Sequence, residues 1–158
     1  ETLFDSNMPE PKSSYSLSAS ALKVNSTSWD VRYKTLSYLL HVQARDEGDT
    51  DGVVLLNQHG ELASASMANL FWVKEGILHT PEVEVGCRAG VVRRWVLENE
   101  NSEIRQGRFQ AQELNAADEI FLTNCRIGIQ PVHTWEGKAM KTGSVTSELW
   151  KAYQSVSS

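Results

Sequence analysis

The chain has 158 residues, of which 41% are hydrophobic and 22% charged, and it carries a formal net charge of −5. This is enough chain for one domain with a sizeable core, in an ordinary globular composition. The acidic balance argues against a nucleic-acid partner held by general electrostatics, and no apolar run approaches the ~20 residues of a membrane helix.

The first residues, Glu1 to Asp5, show no basic segment followed by an apolar one, so no secretory signal is expected. The chain opens on Glu1 rather than Met, which predicts a fragment or a processed form. Cys87 and Cys125 lack CxxC spacing and read as reduced thiols of a cytoplasmic protein. The four histidines are scattered without ligand spacing, so no metal site is expected. The basic pair Arg93-Arg94 reads as a solvated helix face.

Residues 1–14 are rich in Pro, Ser and acidic side chains and suit an exposed linker; the domain proper is expected over 15–158. Tyr15 to Val24 alternates as a strand, with Leu17, Ala19 and Ala21 on one face. From about Trp29 to Gly48 the pattern is helical: Leu36, Leu39, Leu40 and Ala44 share a face, and Gly48 supplies the stop. Val53 to Leu56 is a short buried-strand pattern. Asn57-Gln58-His59-Gly60 makes a hairpin turn, and Leu62 to Ser64 continues as the partner strand.

Asn69 to Val73 is a strand, Lys74-Glu75-Gly76 turns the chain, and Ile77 to Thr80 returns before Pro81. After a loop to Ala89, Val91 to Asn99 reads as a helix with Val92, Trp95 and Val96 on one face. A strand over Ile104–Phe109, a short helix over Gln110–Ala117 and a strand over Asp118–Thr123 follow. A hairpin around Glu136-Gly137 and a helix from Ser144 to about Tyr153 complete the chain. Seven or eight strands intermixed with four helices define an α/β or α+β domain, a mixed sheet with flanking helices.

Four pieces occur in a telling order. Lys34 precedes Gly60-Glu61-Leu62-Ala63-Ser64-Ala65-Ser66-Met67-Ala68-Asn69-Leu70-Phe71-Trp72. Then come Gly90-Val91-Val92-Arg93 and Leu122-Thr123-Asn124-Cys125-Arg126-Ile127-Gly128-Ile129-Gln130-Pro131-Val132. In this order they resemble the larger C-terminal domain of the fold-type-IV pyridoxal-phosphate enzymes, the class IV aminotransferase family. The family includes branched-chain and D-amino-acid aminotransferases and 4-amino-4-deoxychorismate lyases. The likeness runs from about Tyr15 to Tyr153, and the Leu-Thr-Asn run and Ala68 to Trp72 are most similar to the lyases.

The resemblance implies pyridoxal 5′-phosphate as cofactor and Lys34 as the Schiff-base lysine, one turn into its helix. Such an amine must be partly desolvated so that its pKa falls toward neutrality. A helix N-terminus is a poor place for a cation, so a lysine there is unexpected on structural grounds alone. Gly90 and the amides of Val91 and Val92, at a helix mouth, are expected to hold the phosphate. Thr123-Asn124-Cys125 is the implied second phosphate-side loop, through the Thr123 or Asn124 side chain and local amides. The resemblance also implies Asn69 as a cofactor-binding residue, and Asn69-Leu70-Phe71 fix the register of that segment.

Counting four from Gly60 reaches Ser64, where the family has a Glu that hydrogen-bonds the pyridine nitrogen. Glu61 lies at an odd offset from Ser64, so in a strand it points to the opposite face. A hydroxyl stabilises a pyridinium less than a carboxylate does, which weakens the electron sink. Transamination depends heavily on that sink; an elimination that ends in an aromatic ring depends on it less. Gly52 stands where relatives often carry an acidic residue. Cys125 has no evident His partner and reads as a packing residue, and Trp72, Trp95, Trp135 and Trp150 read as core.

The resemblance therefore implies a lyase similar to 4-amino-4-deoxychorismate lyase, which releases pyruvate and 4-aminobenzoate in folate-precursor synthesis. The alternatives are an aminotransferase acting on branched-chain or D-amino acids, or a non-catalytic homologue or inactive fragment. The expected partners are a small-molecule amino substrate, an N-terminal domain missing before Glu1, and a second copy in a homodimer.

Overall fold

In the computed structural model, which describes residues 12–33, 35–36 and 38–157, alternation of buried residues along the strands builds two five-stranded sheets. The first runs β10-β9-β1-β2-β3 and the second β6-β5-β4-β7-β8. Their members are β1 (Ser16–Val24), β2 (Gly52–Asn57), β3 (Leu62–Ala65), β4 (Asn69–Lys74) and β5 (Ile77–Pro81). The others are β6 (Ile104–Gly107), β7 (Glu119–Asn124), β8 (Gly128–Pro131), β9 (Thr134–Trp135) and β10 (Lys138–Ala139). Both sheets are mixed: β1 lies parallel to β2 and β9, and β5 parallel to β6, while the remaining pairs are antiparallel. The expected α/β class holds, with the strands divided between two sheets.

Strands β4 and β7 show why the sheets stack. Side chains alternate across a strand, so one face carries Leu70, Trp72, Ile120 and Leu122 and the other Phe71, Val73 and Phe121. The first set packs against Leu17, Val54 and Leu62 of the other sheet; the second packs against Val92, Val96 and Leu149. Those last three belong to helices α3 (Val91–Asn99) and α4 (Ser144–Ser157). On the far side of the first sheet, Val53, Leu55 and Ala63 pack with Val31 and Ala44 of α1 (Trp29–Arg32) and α2 (Leu39–Asp46). The order of layers is helices, sheet, sheet, helices.

Several local expectations change. The helix expected over 29–48 is broken: α1 spans four residues and ends where Tyr33 turns extended (φ −112°, ψ 148°). Helix resumes only at Leu39, so Leu36 stands fully exposed and Leu39 is 76% exposed. In β1 a register shift between Ala19 and Lys23 interrupts the alternation, so Leu17, Ser20 and Val24 are buried while Ala19 and Ala21 face outward. The 110–117 helix is a 3-10 segment (Ala111–Ala116), and β8 joins the second sheet unforeseen. Arg93 is not solvated. It is 5% exposed, and its Nη2 donates to the Pro81 carbonyl at 3.0 Å and to Gln106 Oε1 at 2.9 Å, fastening α3 to the sheet. Lys12, in the stretch expected as linker, is held to β8: its amide donates to Gln130 Oε1 (2.8 Å) and its carbonyl accepts from Gln130 Nε2 (3.0 Å).

Candidate active site

Where β3 leaves one sheet and β4 enters the other, the chain makes a tight turn from Ala65 to Ala68. The Ala65 amide donates to the Ala68 carbonyl (2.9 Å), and the Ser66 amide donates to the Val53 carbonyl (2.8 Å). This turn forms one wall of a cavity of about 700 Å³. The start of α3 and the end of β7 form other walls, and Val31, Thr35, Leu36, Tyr38 and His41 complete it.

The residues expected from sequence come together here. Ser64, Asn69, Gly90, Val91, Thr123 and Asn124 all line the cavity. Asn69 and Thr123 are direct cross-strand partners on β4 and β7. Strand parity sets both on the face that α3 covers, beside Phe71 and Phe121. Val92 does not line the cavity; its side chain is buried in the core under α3, which leaves its backbone amide as the group available to a ligand. Lys34 lies outside the described residues. Its sequence neighbours Val31, Thr35 and Leu36 line the cavity.

The opening of α3 suits an anion. Gly90 is the N-cap and has no side chain to close the helix mouth. The first intrahelical bond runs from the Arg94 amide to the Gly90 carbonyl (2.9 Å), so the amides of Val91, Val92 and Arg93 have no acceptor within the helix. A Cβ at position 90 would fall inside the contact shell of Asn69 Oδ1, so glycine is what lets the two segments approach. Across the strand pair, Thr123 is fully buried and its Oγ1 has no hydrogen-bond partner among the described residues. A buried hydroxyl without a partner is costly, and an anion bound at the helix mouth would satisfy it. Asn124 is otherwise engaged: Nδ2 donates to the Met67 carbonyl (2.9 Å), and Oδ1 accepts from the Arg126 and Ile127 amides (both 2.8 Å). These bonds shape the loop at the cavity. These features fit the phosphate of pyridoxal 5′-phosphate.

The opposite wall carries Ser64, which is 8% exposed and pairs with Leu55 across β2 and β3. Among the described residues, none that lines the cavity is acidic, and Arg88 and Arg126 are the charged ones. Glu61 is committed elsewhere, accepting from Asn57 Nδ2 (2.7 Å) and lying 3.6 Å from Arg108. A hydroxyl, not a carboxylate, is thus what the β3 wall presents. Gly52 is buried at the start of β2, where a Cβ would meet Tyr15 Oη at 3.1 Å.

Among the lining residues not singled out from sequence, three form a cluster. Tyr38 and His41 stack with ring centroids 4.8 Å apart, and the Arg88 guanidinium lies 4.7 Å from the Tyr38 ring centroid and donates from Nη1 to its hydroxyl. Burial, then the charge of Arg88, lowers the pKa of His41. Their available signal was sequence proximity: Tyr38 follows Lys34 by four, and Arg88 precedes Gly90 by two. Cys125 is exposed and lines the cavity rather than packing in the core. Cys87 is the buried thiol; burial pushes its pKa up to about 11. Trp72 and Trp135 are buried in the inter-sheet core, and neither they nor Trp95 and Trp150 line the cavity.

A mixed α/β fold thus sets a helix mouth with free amides and a buried, unpartnered hydroxyl at one cavity, a geometry suited to a phosphate-bearing ligand. The chain belongs to the amino-transferase class IV family, whose model matches residues 2–135. It is 30% identical over 142 residues to the aminodeoxychorismate lyase of Bacillus subtilis, covering 85% of this chain and 48% of that protein. It is also 30% identical over 124 residues to the branched-chain-amino-acid aminotransferase of Pseudomonas aeruginosa, covering 75% of this chain and 40% of that protein. Among solved structures, the 4-amino-4-deoxychorismate lyase of Pseudomonas aeruginosa superposes with a TM-score of 0.82 at 26% identity, covering 90% of this chain and 55% of that one. The chain spans about half the length of the curated relatives it matches.

Proposed function

We propose that this chain forms the cofactor-binding half of a pyridoxal-phosphate lyase that eliminates pyruvate from an aminodeoxychorismate-like substrate and releases 4-aminobenzoate. The family's cofactor is pyridoxal 5′-phosphate. When bound, it supplies an electron sink that acidifies a carbon–hydrogen bond of the attached amino substrate. The amides of Val91 and Val92 and the Thr123 hydroxyl hold the phosphate. Lys34 anchors the cofactor through its Nζ and, once displaced by the substrate amine, carries the proton. Ser64 faces the pyridine nitrogen, and Asn69 holds the helix mouth in place.

The observation that carries the lyase reading is Ser64. A neutral hydroxyl on that wall, with no acidic residue among the described ones that line the cavity, weakens the electron sink. Aromatisation compensates for this loss in the elimination and has no counterpart in transamination. The second reading, a branched-chain aminotransferase, is favoured by a relative of that activity at the same 30% identity as the lyase. A small amino substrate suits either reading. A second copy and a further domain are the proposed covers for the cavity, because Leu36, Met67 and Val91 stand exposed around it. A cytoplasmic setting is proposed with folate-precursor synthesis; no described helix is long and apolar enough to cross a membrane.

The test follows pyruvate with a coupled dehydrogenase while the cofactor-loaded protein meets 4-amino-4-deoxychorismate. Pyruvate formed without any keto-acid acceptor supports the lyase. Turnover that strictly requires 2-oxoglutarate rejects it in favour of the aminotransferase.

A further inference from the structure

We propose that Arg88, held by Tyr38, is the residue that recognises a carboxylate of the ligand in this cavity. The inference rests on the reading of the cavity as a cofactor and substrate site, and it adds which chemical group the substrate must carry. Arg88 lines the cavity together with Tyr38 and His41. Its Nη1 donates to the Tyr38 hydroxyl, and its guanidinium lies over the Tyr38 ring, so its position is fixed by two contacts with one residue. Its Nη2 is shielded from solvent and has no hydrogen-bond partner among the described residues.

Among the described residues no carboxylate pairs with that charge: the ion pairs do not involve Arg88, and none of the residues that line the cavity is acidic. A shielded, preorganised guanidinium nitrogen without an acceptor is a vacant anion contact. Two sources of oxyanion reach such a cavity, a cofactor phosphate and a substrate carboxylate. The helix mouth at Gly90 and the orphan Thr123 hydroxyl already suit the phosphate. Arg88 turns instead to the aromatic wall, where the stacked rings of Tyr38 and His41 offer a flat apolar surface. A planar carboxylate on an unsaturated or aromatic ring matches that pairing of guanidinium and ring faces.

Calorimetric titration of the protein with 4-aminobenzoate and with its neutral isostere 4-aminobenzamide tests this without cofactor. The unaltered protein is expected to prefer the carboxylate by about tenfold or more, the size of one charge-assisted hydrogen bond. Arg88→Gln should erase the preference, Arg88→Lys should keep part of it, and Arg126→Gln, at the exposed cation of the cavity, should leave it nearly intact. Circular dichroism confirms that each variant is folded, and the preference of the unaltered protein stands as evidence even where a variant is not. Absent or equal binding of the two compounds, or a preference that persists in Arg88→Gln, overturns the proposal. A parallel titration with inorganic phosphate separates the sources: loss of phosphate binding alone in Arg88→Gln assigns the guanidinium to the cofactor and overturns the carboxylate assignment. Failure of the cofactor to bind Lys34 would reject the proposed function and leave these carboxylate measurements unaffected.

Discussion

Asn69 donates from Nδ2 to the carbonyl of Arg88 at 2.7 Å, and this bond ties the first residue of β4 to the segment that opens α3. The same side chain occupies, through Oδ1, the space a Cβ on Gly90 would need. Gly90→Ala must therefore push Asn69 aside or tilt the helix mouth. We expect a loss of about 1–2 kcal/mol in stability and about a tenfold weaker hold on pyridoxal 5′-phosphate. Chemical denaturation and a spectrophotometric cofactor titration measure the two effects. Unchanged cofactor affinity would show that the helix mouth is not where the phosphate sits.

Glu119 plays the corresponding part at α4. Its carboxylate accepts from the Thr146 amide at 2.9 Å and from the Thr146 hydroxyl at 2.6 Å, with both residues buried. An anion at a helix N-terminus meets free amides and the positive end of the dipole. Glu119→Ala strands these donors and should cost about 2–3 kcal/mol in urea unfolding, whereas Thr146→Ser keeps both bonds and should cost far less. Equal losses in the two variants would contradict this assignment.

Acid should destabilise the fold through two histidines. Burial, ahead of any other cause, lowers the pKa of both His41 and His79 from the ordinary 6.5. A depressed folded pKa means that the unfolded chain binds protons first. The stabilisation is therefore complete above about pH 6.5 and is lost as pH falls through the folded values. Unfolding free energies at about pH 7.5 and about pH 5 should differ in that sense, and the difference should shrink in the double variant His41→Gln, His79→Gln. A protein that gains stability over this interval would refute the assignment.

Much of the fold was legible because local rules and tertiary demand agree. Gly60 (φ +80°) closes the expected turn after Asn57, and Gly76 (φ +75°) closes the one after Lys74. The Val92 and Val96 face of α3 packs as its spacing requires. Ser64, Asn69, Gly90 and Thr123, spread over sixty residues, meet at one cavity. The broken helix was not legible, because the Leu36, Leu39, Leu40, Ala44 spacing records apolar residues without recording what they face. Leu36, at the cavity, and Leu39 are exposed instead of joining the core. Arg88 and Tyr38 escaped notice for another reason. Their contact joins residues fifty apart through a hydroxyl and a guanidinium, and no periodicity encodes such a pairing.

Lys34 is the residue on which cofactor attachment turns. Borohydride treatment of the protein loaded with pyridoxal 5′-phosphate, followed by peptide mass mapping, reports which amine carries the cofactor. We predict a single phosphopyridoxyl-modified peptide containing Lys34, with both the tether and the long-wavelength absorbance of the bound cofactor lost in Lys34→Ala. Modification of another lysine, or an absorbance unchanged in Lys34→Ala, would contradict it.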